Sequence, residues 1–386
     1  MPSEISVTYS CSVELWRQRE AVRSFLRDLF YGQSFRVLCD REATVPLTDD
    51  GFEDRIMQTE EEHDRKRFSL HVPVEQFEDG SLVSLVNQLW GNALDYGPFR
   101  LESLDPMIIS SLRPRRRPPL LANMANARRP FLGTILKPSW HLSLKERIHQ
   151  ATRFVSLGGD FVKEDETYCP ALGRFVNECR EIQAALDSVD TSERGLGVYV
   201  PHVSGILGMN NAIAVLQDAG ARAAMVSFLT VGMDTVRNLA QGTSLFLWGH
   251  RVGYRAFQET LSRAALLQLA RATGLNAVHV GTPFVSDAHD LQASQELARL
   301  SQDLDRDGTD PMYQVLSKTT GESVGALLQR LGPDIVLLAC GEFLGVSSVD
   351  ETKMQAWLRV ARPQLPGCPG DRARAGSGRS GGIEKP

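Results

Sequence analysis

Gly158-Gly159-Asp160-Phe161-Val162-Lys163-Glu164-Asp165-Glu166 is the stretch whose reading decides the fold. A short apolar strand, Phe161-Val162, runs straight into one lysine and three carboxylates. Barrel scaffolds place their chemistry on strand ends that face a common cavity. Asp and Glu at neighbouring positions there supply hard oxygens of the kind Mg²⁺ takes. Taken alone, a Lys-Glu-Asp-Glu run is more often the solvated opening of a helix. The flanking chain has to decide between the two readings.

From Pro130 onward the pattern is regular. Short apolar runs fall at 131–136, 161–162, 197–200, 223–229, 245–248, 277–280, 314–316 and 335–339. Amphipathic segments lie between them, for example 144–157, 211–219, 256–272 and 324–331. Eight strand-helix units in a segment of this length predict a (β/α)₈ TIM barrel. The runs are mostly continuous, as parallel strands covered by helices should be. No G-x-G-x-x-G opens a βαβ unit, which disfavours a doubly wound sheet. The expected barrel covers 126–362.

Residues 1–125 alternate strand-like and helix-like pieces, predicting an α+β, ferredoxin-like domain. Strands are expected at 5–13, 35–38 and 67–72, and helices at 22–31 and 81–89. The charged run from Glu60 to Arg67 reads as a solvated turn, and RPRRRPP at 113–119 as a linker. Residues 363–386, rich in Gly, Pro and Arg, read as a disordered tail.

Composition narrows the function classes. A net charge of -5 gives no electrostatic case for nucleic acid or a membrane surface. Cys11, Cys39, Cys169, Cys179, Cys340 and Cys368 show no zinc-ligand spacing. No apolar run approaches the roughly 18 residues of a membrane span, and no secretory signal pattern opens the chain. The expectation is a cytoplasmic protein with reduced thiols.

The strand ends carry the chemistry. Lys137-Pro138, Lys163 to Glu166, Pro201-His202, His250-Arg251, His279 to Thr282, Ser317-Lys318-Thr319 and Gly341-Glu342 follow seven of the eight strands. Any single histidine in such a set is more often structural than catalytic. Seven ends agreeing is hard to explain by packing alone.

GTILKPSWHLS (133–143), GGDFVKEDE (158–166), HR at 250–251 and HVGT at 279–282 resemble the large subunit of ribulose bisphosphate carboxylase/oxygenase (RuBisCO). Gly91-Asn92 is similar to the family's N-terminal GN motif. The resemblance implies that Lys163 is carbamylated by CO₂ and binds Mg²⁺ with Asp165 and Glu166. It also implies substrate contacts from Asn92, Arg251, His279, Ser317 and Gly341. An active site shared between two subunits, and hence at least a homodimer, follows from the same likeness.

Several positions depart from the family pattern. Ser139 stands at the second lysine of the first-strand motif, and Pro283 to Ser286 stand where the lid after strand six carries a lysine. Tyr254 replaces a histidine. The glycines expected to cradle phosphate are replaced by Lys318-Thr319 and by Glu342. Losing both lysines argues against CO₂ fixation and for the RuBisCO-like, form IV branch. What persists is a Lewis-acid site, a candidate base in Lys137 if it is desolvated, and His250 as proton relay or substrate contact. The expected activity is a Mg²⁺-dependent enolisation of a sugar-derived ketone, isomerase or enolase in type. A lyase that decarboxylates a 3-oxo sugar acid is the alternative. A non-catalytic barrel with a binding or regulatory role is the reading from another class, and Mg²⁺ binding separates it from the first two.

Overall fold

Period-two burial builds the first layer. β1 (Glu4–Ser12) buries Ile5, Val7, Tyr9 and Cys11, the alternation of a strand with one face on a core. It pairs antiparallel with β3 (Arg65–Pro73) and β4 (Arg100–Leu104), and β2 (Ile56–Glu62) adds to β3. Helix α1 (Arg19–Tyr31) lays Val22, Phe25, Leu26 and Leu29 on that face. Phe25 stacks on Phe99 at 4.0 Å and meets Tyr9 edge-on at 5.0 Å.

The computed structural model describes residues 4–31, 56–62, 64–73, 82–91, 99–127, 129–190, 195–206, 209–281, 295, 298, 311–319, 323–339 and 350–361. The strand expected at 35–38 and the tail at 363–386 lie outside them.

The charged run expected to be a turn is instead the end of the β2–β3 hairpin. Glu60, Glu61 and Glu62 face Arg67, Lys66 and Arg65 across the ladder. Opposite charges in register stabilise a strand pair, and only Asp64 among the described residues of the run sits in a turn. Beyond β4, α2 (Pro106–Leu112) and α3 (Pro119–Ala127) flank a segment without regular structure, matching the expected linker.

Eight parallel strands follow: β5 (Phe131–Ile135), β6 (Phe161–Lys163), β7 (Val198–Val200), β8 (Ala223–Val226), β9 (Phe246–Gly249), β10 (Ala277–Gly281), β11 (Tyr313–Leu316) and β12 (Ile335–Ala339). Their order is β7-β6-β5-β12-β11-β10-β9-β8. The two ends of that list meet at a parallel bridge between His202 and Met225, through bonds of 2.7 Å and 2.9 Å. Every residue of the eight strands is buried, which is why the sequence shows continuous runs. The strand expected to reach 229 stops at Val226, and Phe228–Val231 is helical. Periodicity cannot separate a buried strand from a buried helical turn in so short a run.

Helices α4 (Leu144–Ser156), α5 (Leu172–Asp187), α6 (Met209–Asp218), α7 (Met233–Gly242), α8 (Arg263–Ala272) and α9 (Ser323–Leu331) cover the barrel, and α10 (Glu351–Ala361) follows β12. The helix expected from 256 begins at Arg263, where Ser262 caps it by accepting from the Ala265 N–H at 3.0 Å. All ten residues of α8 are buried. Gln268 explains part of this: its amide closes two bonds, 2.8 Å and 2.7 Å, with the backbone of Leu104 in β4.

Large apolar side chains fill the lower barrel. Phe131, Phe161, Phe246, Trp248 and Tyr313 pack there with Leu120, Leu121 and Met124 of α3, which plugs the bottom. Polar groups are left for the carboxyl end of the strands. Gly159 sets the height of β6: a Cβ there would lie 1.9 Å from the Phe154 ring of α4, so only glycine lets the helix approach.

Candidate active site

Lys163 ends β6, and the ladder continues past it: Leu136 N–H donates to the Lys163 carbonyl at 3.0 Å and Glu164 N–H to the Val200 carbonyl at 2.9 Å. Alternation along this extended backbone sends Lys163 and Asp165 to one side and Glu164 to the other. Lys163 is buried, donates to the Glu164 carbonyl at 3.0 Å, and has its Nζ 3.9 Å from Glu166 Oε2. Asp165 is fixed by the Thr167 N–H and hydroxyl at 2.9 Å and 2.5 Å. Its other oxygen pairs with Lys137 Nζ at 3.0 Å. Burial raises the Asp165 carboxyl, but the Thr167 bonds and Lys137 outweigh it and leave its pKa below the ordinary range.

Lys137, at the end of β5, was named as the candidate base on the condition that it be desolvated. It is not: its side chain is 48% exposed and held as the ammonium partner of Asp165. The loop after β5 runs over the barrel mouth, so its long side chain keeps contact with water.

Three imidazoles form an arc around Lys163. His202, His250 and His279 come from the ends of β7, β9 and β10, with ring centroids 6.4 Å and 4.8 Å apart along the series. Burial, reinforced by the Lys163 charge, lowers His202 to about 4 and His250 to about 3, and drives His279 well below the ordinary value. All three are therefore neutral near pH 7. The 3.6 Å approach of His250 Nε2 to Glu166 is then a polar contact and not an ion pair. His202 Nε2 bonds the Ser227 hydroxyl at 2.9 Å. Among the described residues, Nδ1 of His202, Nδ1 of His250 and Nε2 of His279 have no hydrogen-bond partner.

Arg251 packs its guanidinium under Gly281, where a Cβ would lie 2.6 Å from Nη2 and where φ is +97°. Ser317 follows β11 and donates its N–H to the Gly281 carbonyl at 3.0 Å, so Arg251, His279 and Ser317 belong to one neighbourhood. Thr319 is committed to structure: its hydroxyl donates to Leu338 and its carbonyl accepts from Trp357. Asn92, Gly341, Glu342 and Pro283 to Ser286 lie outside the described residues. The structure thus brings together Lys137, Lys163, Asp165, Glu166, His250 and His279, with Arg251 and Ser317 beside them.

Two groups behind the site were not anticipated. His202 was visible only as one of seven polar strand ends. Glu164 points away from the mouth into a buried network: Arg147 Nη1 donates to it at 2.5 Å, Tyr199 Oη at 2.8 Å and the Asp165 N–H at 3.1 Å. Burial still pushes Glu164 up to about 7 against those partners.

The donor set fits Mg²⁺. Among the described residues no three His, Cys, Asp or Glu side chains form a metal cluster; Asp165 and Glu166 supply two hard ligands from one loop. An anionic carbamate on Lys163, whose Nζ already lies beside Glu166, would supply the third. Among the described residues, the three imidazole nitrogens left without a partner are polar groups open to a ligand at this site.

Residues 120–303 match the model of the ribulose bisphosphate carboxylase large chain, catalytic domain. Over that segment, a little under half of the chain, it is similar to the RuBisCO large chain. Within the RuBisCO superfamily, the carboxylase of Thermococcus kodakarensis is 29% identical over 40% of this chain and 37% of its own length. The match therefore spans little more than a third of that relative. A 3-oxo-isoapionate-4-phosphate transcarboxylase/hydrolase of Xanthobacter autotrophicus is 28% identical over 56% of this chain and 55% of its own. The fold of a rubisco-like protein from Burkholderia fungorum superposes with a TM-score of 0.74 at 19% identity, covering 97% of this chain and 95% of that one.

Proposed function

We propose that this is a RuBisCO-like protein of the form IV branch that does not fix CO₂ and instead enolises a sugar-derived ketone with the help of Mg²⁺. The observation that carries the reading is the convergence of Lys163, Asp165 and Glu166 at one strand end beneath three neutral imidazoles. Bound there by Asp165, Glu166 and carbamylated Lys163, Mg²⁺ would polarise a ketone oxygen as a Lewis acid. Lys137 is the candidate base for the neighbouring C–H. Its ion pair with Asp165 holds it as ammonium, so the base form requires Asp165 to be engaged elsewhere. His250, neutral and in contact with Glu166, relays the proton or binds substrate. Arg251 supplies a fixed cation for a phosphate or carboxylate on the substrate.

Ser139 supports the exclusion of carboxylation. It is buried, its hydroxyl donates to the Leu136 carbonyl at 3.0 Å, and Arg147 binds its carbonyl. Nothing at that position presents a cation to a substrate. A second reading, decarboxylation or related C–C cleavage of a 3-oxo sugar acid phosphate, is favoured by the likeness to the Xanthobacter transcarboxylase/hydrolase. The proposal includes a cytoplasmic homodimer with a shared site, in which the exposed Trp140 and Lys137 at the mouth face the partner.

Calorimetric titration with Mg²⁺, with and without bicarbonate, tests the metal site. Bicarbonate-dependent binding that is lost in Lys163→Ala is expected. Absence of binding under both conditions would overturn the reading. Deuterium exchange into ketose phosphates, set against CO₂ release from 3-oxo sugar acids, then decides between the two reactions.

A further inference from the structure

The side of β6 that faces away from the barrel mouth carries a device that the proposed chemistry does not use directly. Glu164 is wholly buried between Lys163 and Asp165, and each of its polar groups is occupied. One carboxylate oxygen accepts from Arg147 and Tyr199, the other from the Asp165 N–H. Its own N–H and carbonyl are taken by Val200 and Lys163. Arg147, equally buried, reaches past Glu164 to the carbonyl of Ser139, two residues beyond Lys137. Its guanidinium also lies flat over the Tyr168 ring at 3.7 Å. One guanidinium therefore spans the loop that carries Lys137 and the loop that carries Asp165.

We propose that Arg147, with Glu164 and Tyr199, is a positioning clamp that sets the distance between Lys137 and Asp165. Arg147 touches neither working group; it fixes the backbone from which each projects. A guanidinium is suited to this because its rigid fork of donors serves two acceptors at once. Lysine at 147 reaches only one of them. The clamp rests on the reading of Lys137 and Asp165 as working groups, but its geometric content is the 3.0 Å ion pair itself.

Competitive acetylation of the full chain with N-hydroxysuccinimidyl acetate, read by mass spectrometry, measures that ion pair without metal or substrate. Lys145 and Lys353 are exposed and serve as internal references. Asp165→Asn, which removes that carboxylate, defines the value for Lys137 without the ion pair. Arg147→Met is expected to raise Lys137 labelling at least 3-fold over the references, and Tyr199→Phe to raise it to a lesser extent. Arg147→Lys is expected to fall between wild type and Arg147→Met. A folded Arg147→Met with wild-type Lys137 labelling overturns the clamp. Should that variant fail to melt cooperatively, unchanged labelling in Tyr199→Phe, which loses only a hydroxyl, overturns it instead. A general loosening of the fold, seen as an equal release of Lys137 in the core variant Phe161→Ala, would also count against it. Calorimetry with Mg²⁺ on the wild type keeps the two proposals apart: released Lys137 labelling without any Mg²⁺ binding retains the clamp and removes the metal reading.

Discussion

Acidification of the metal-free protein should destabilise it well before its surface carboxylates titrate. His202 and His250 have folded values of about 4 and about 3 against 6.5 when solvated, and burial holds His279 well below its ordinary value too. Between pH 6.5 and those values the unfolded chain binds protons that the native state refuses, so stability is present above pH 6.5 and is lost as pH falls. Each such group gives a slope of about 1.4 kcal/mol per pH unit. From pH 7.5 to pH 5 this amounts to about 2 kcal/mol for each of His202 and His250, about 4 for the two, and His279 acts in the same direction. Glu164 works in the opposite sense: raised from 4.5 to about 7, it takes up its proton in the native state first and returns about 2 kcal/mol over the same window. The net loss is about 2 kcal/mol before His279 adds to it, a sizeable part of the roughly 5–15 kcal/mol that holds a folded protein together. Urea unfolding in EDTA at several pH values would measure it. Glu164→Gln should steepen the loss, and His250→Asn should flatten it by about 2 kcal/mol. Lys163→Met should flatten it too, because the ammonium is what helps keep the imidazoles neutral. A stability constant to within about 1 kcal/mol from pH 7.5 to 5, or a slope indifferent to these substitutions, would refute the reasoning.

Gly159→Ala should cost on the order of 1–3 kcal/mol by forcing β6 off α4, visible as a lower urea midpoint. Phe161→Ala, at the centre of the lower barrel, should cost about 3–5 kcal/mol by the same assay. Ser262→Ala removes the cap of α8 and should cost about 1 kcal/mol. Asp165→Asn should abolish Mg²⁺ binding by calorimetry while leaving cooperative unfolding intact, since its carboxylate is used at the mouth and not in the core.

The barrel was legible because its strands are buried on both faces and therefore spell out as unbroken apolar runs. The clustering of Lys163, Asp165 and Glu166 was legible because the three follow one another at a single strand end. The β2–β3 hairpin was not. Its Glu60-Glu61-Glu62 arm looks like solvent-facing charge until Arg65, Lys66 and Arg67 are set opposite it, and that register depends on the third dimension. The strand β8 was drawn too long, where local apolar content did not fix a period. The segment 144–157 read only as amphipathic, and nothing in that pattern marks Arg147 as buried. Its burial follows only once alternation turns Glu164 outward beneath it.

Helix α8 has a consequence for how the molecule can come apart. With ten consecutive residues buried and Gln268 stitched to Leu104, it has no wet side. The antiparallel sheet and the barrel are therefore not separable modules. A chain cut between them would leave Leu266, Leu267, Leu269 and Ala270 on a helix with nothing to cover part of its circumference. Such a fragment would seek its missing half or aggregate, and the two layers should melt in a single transition.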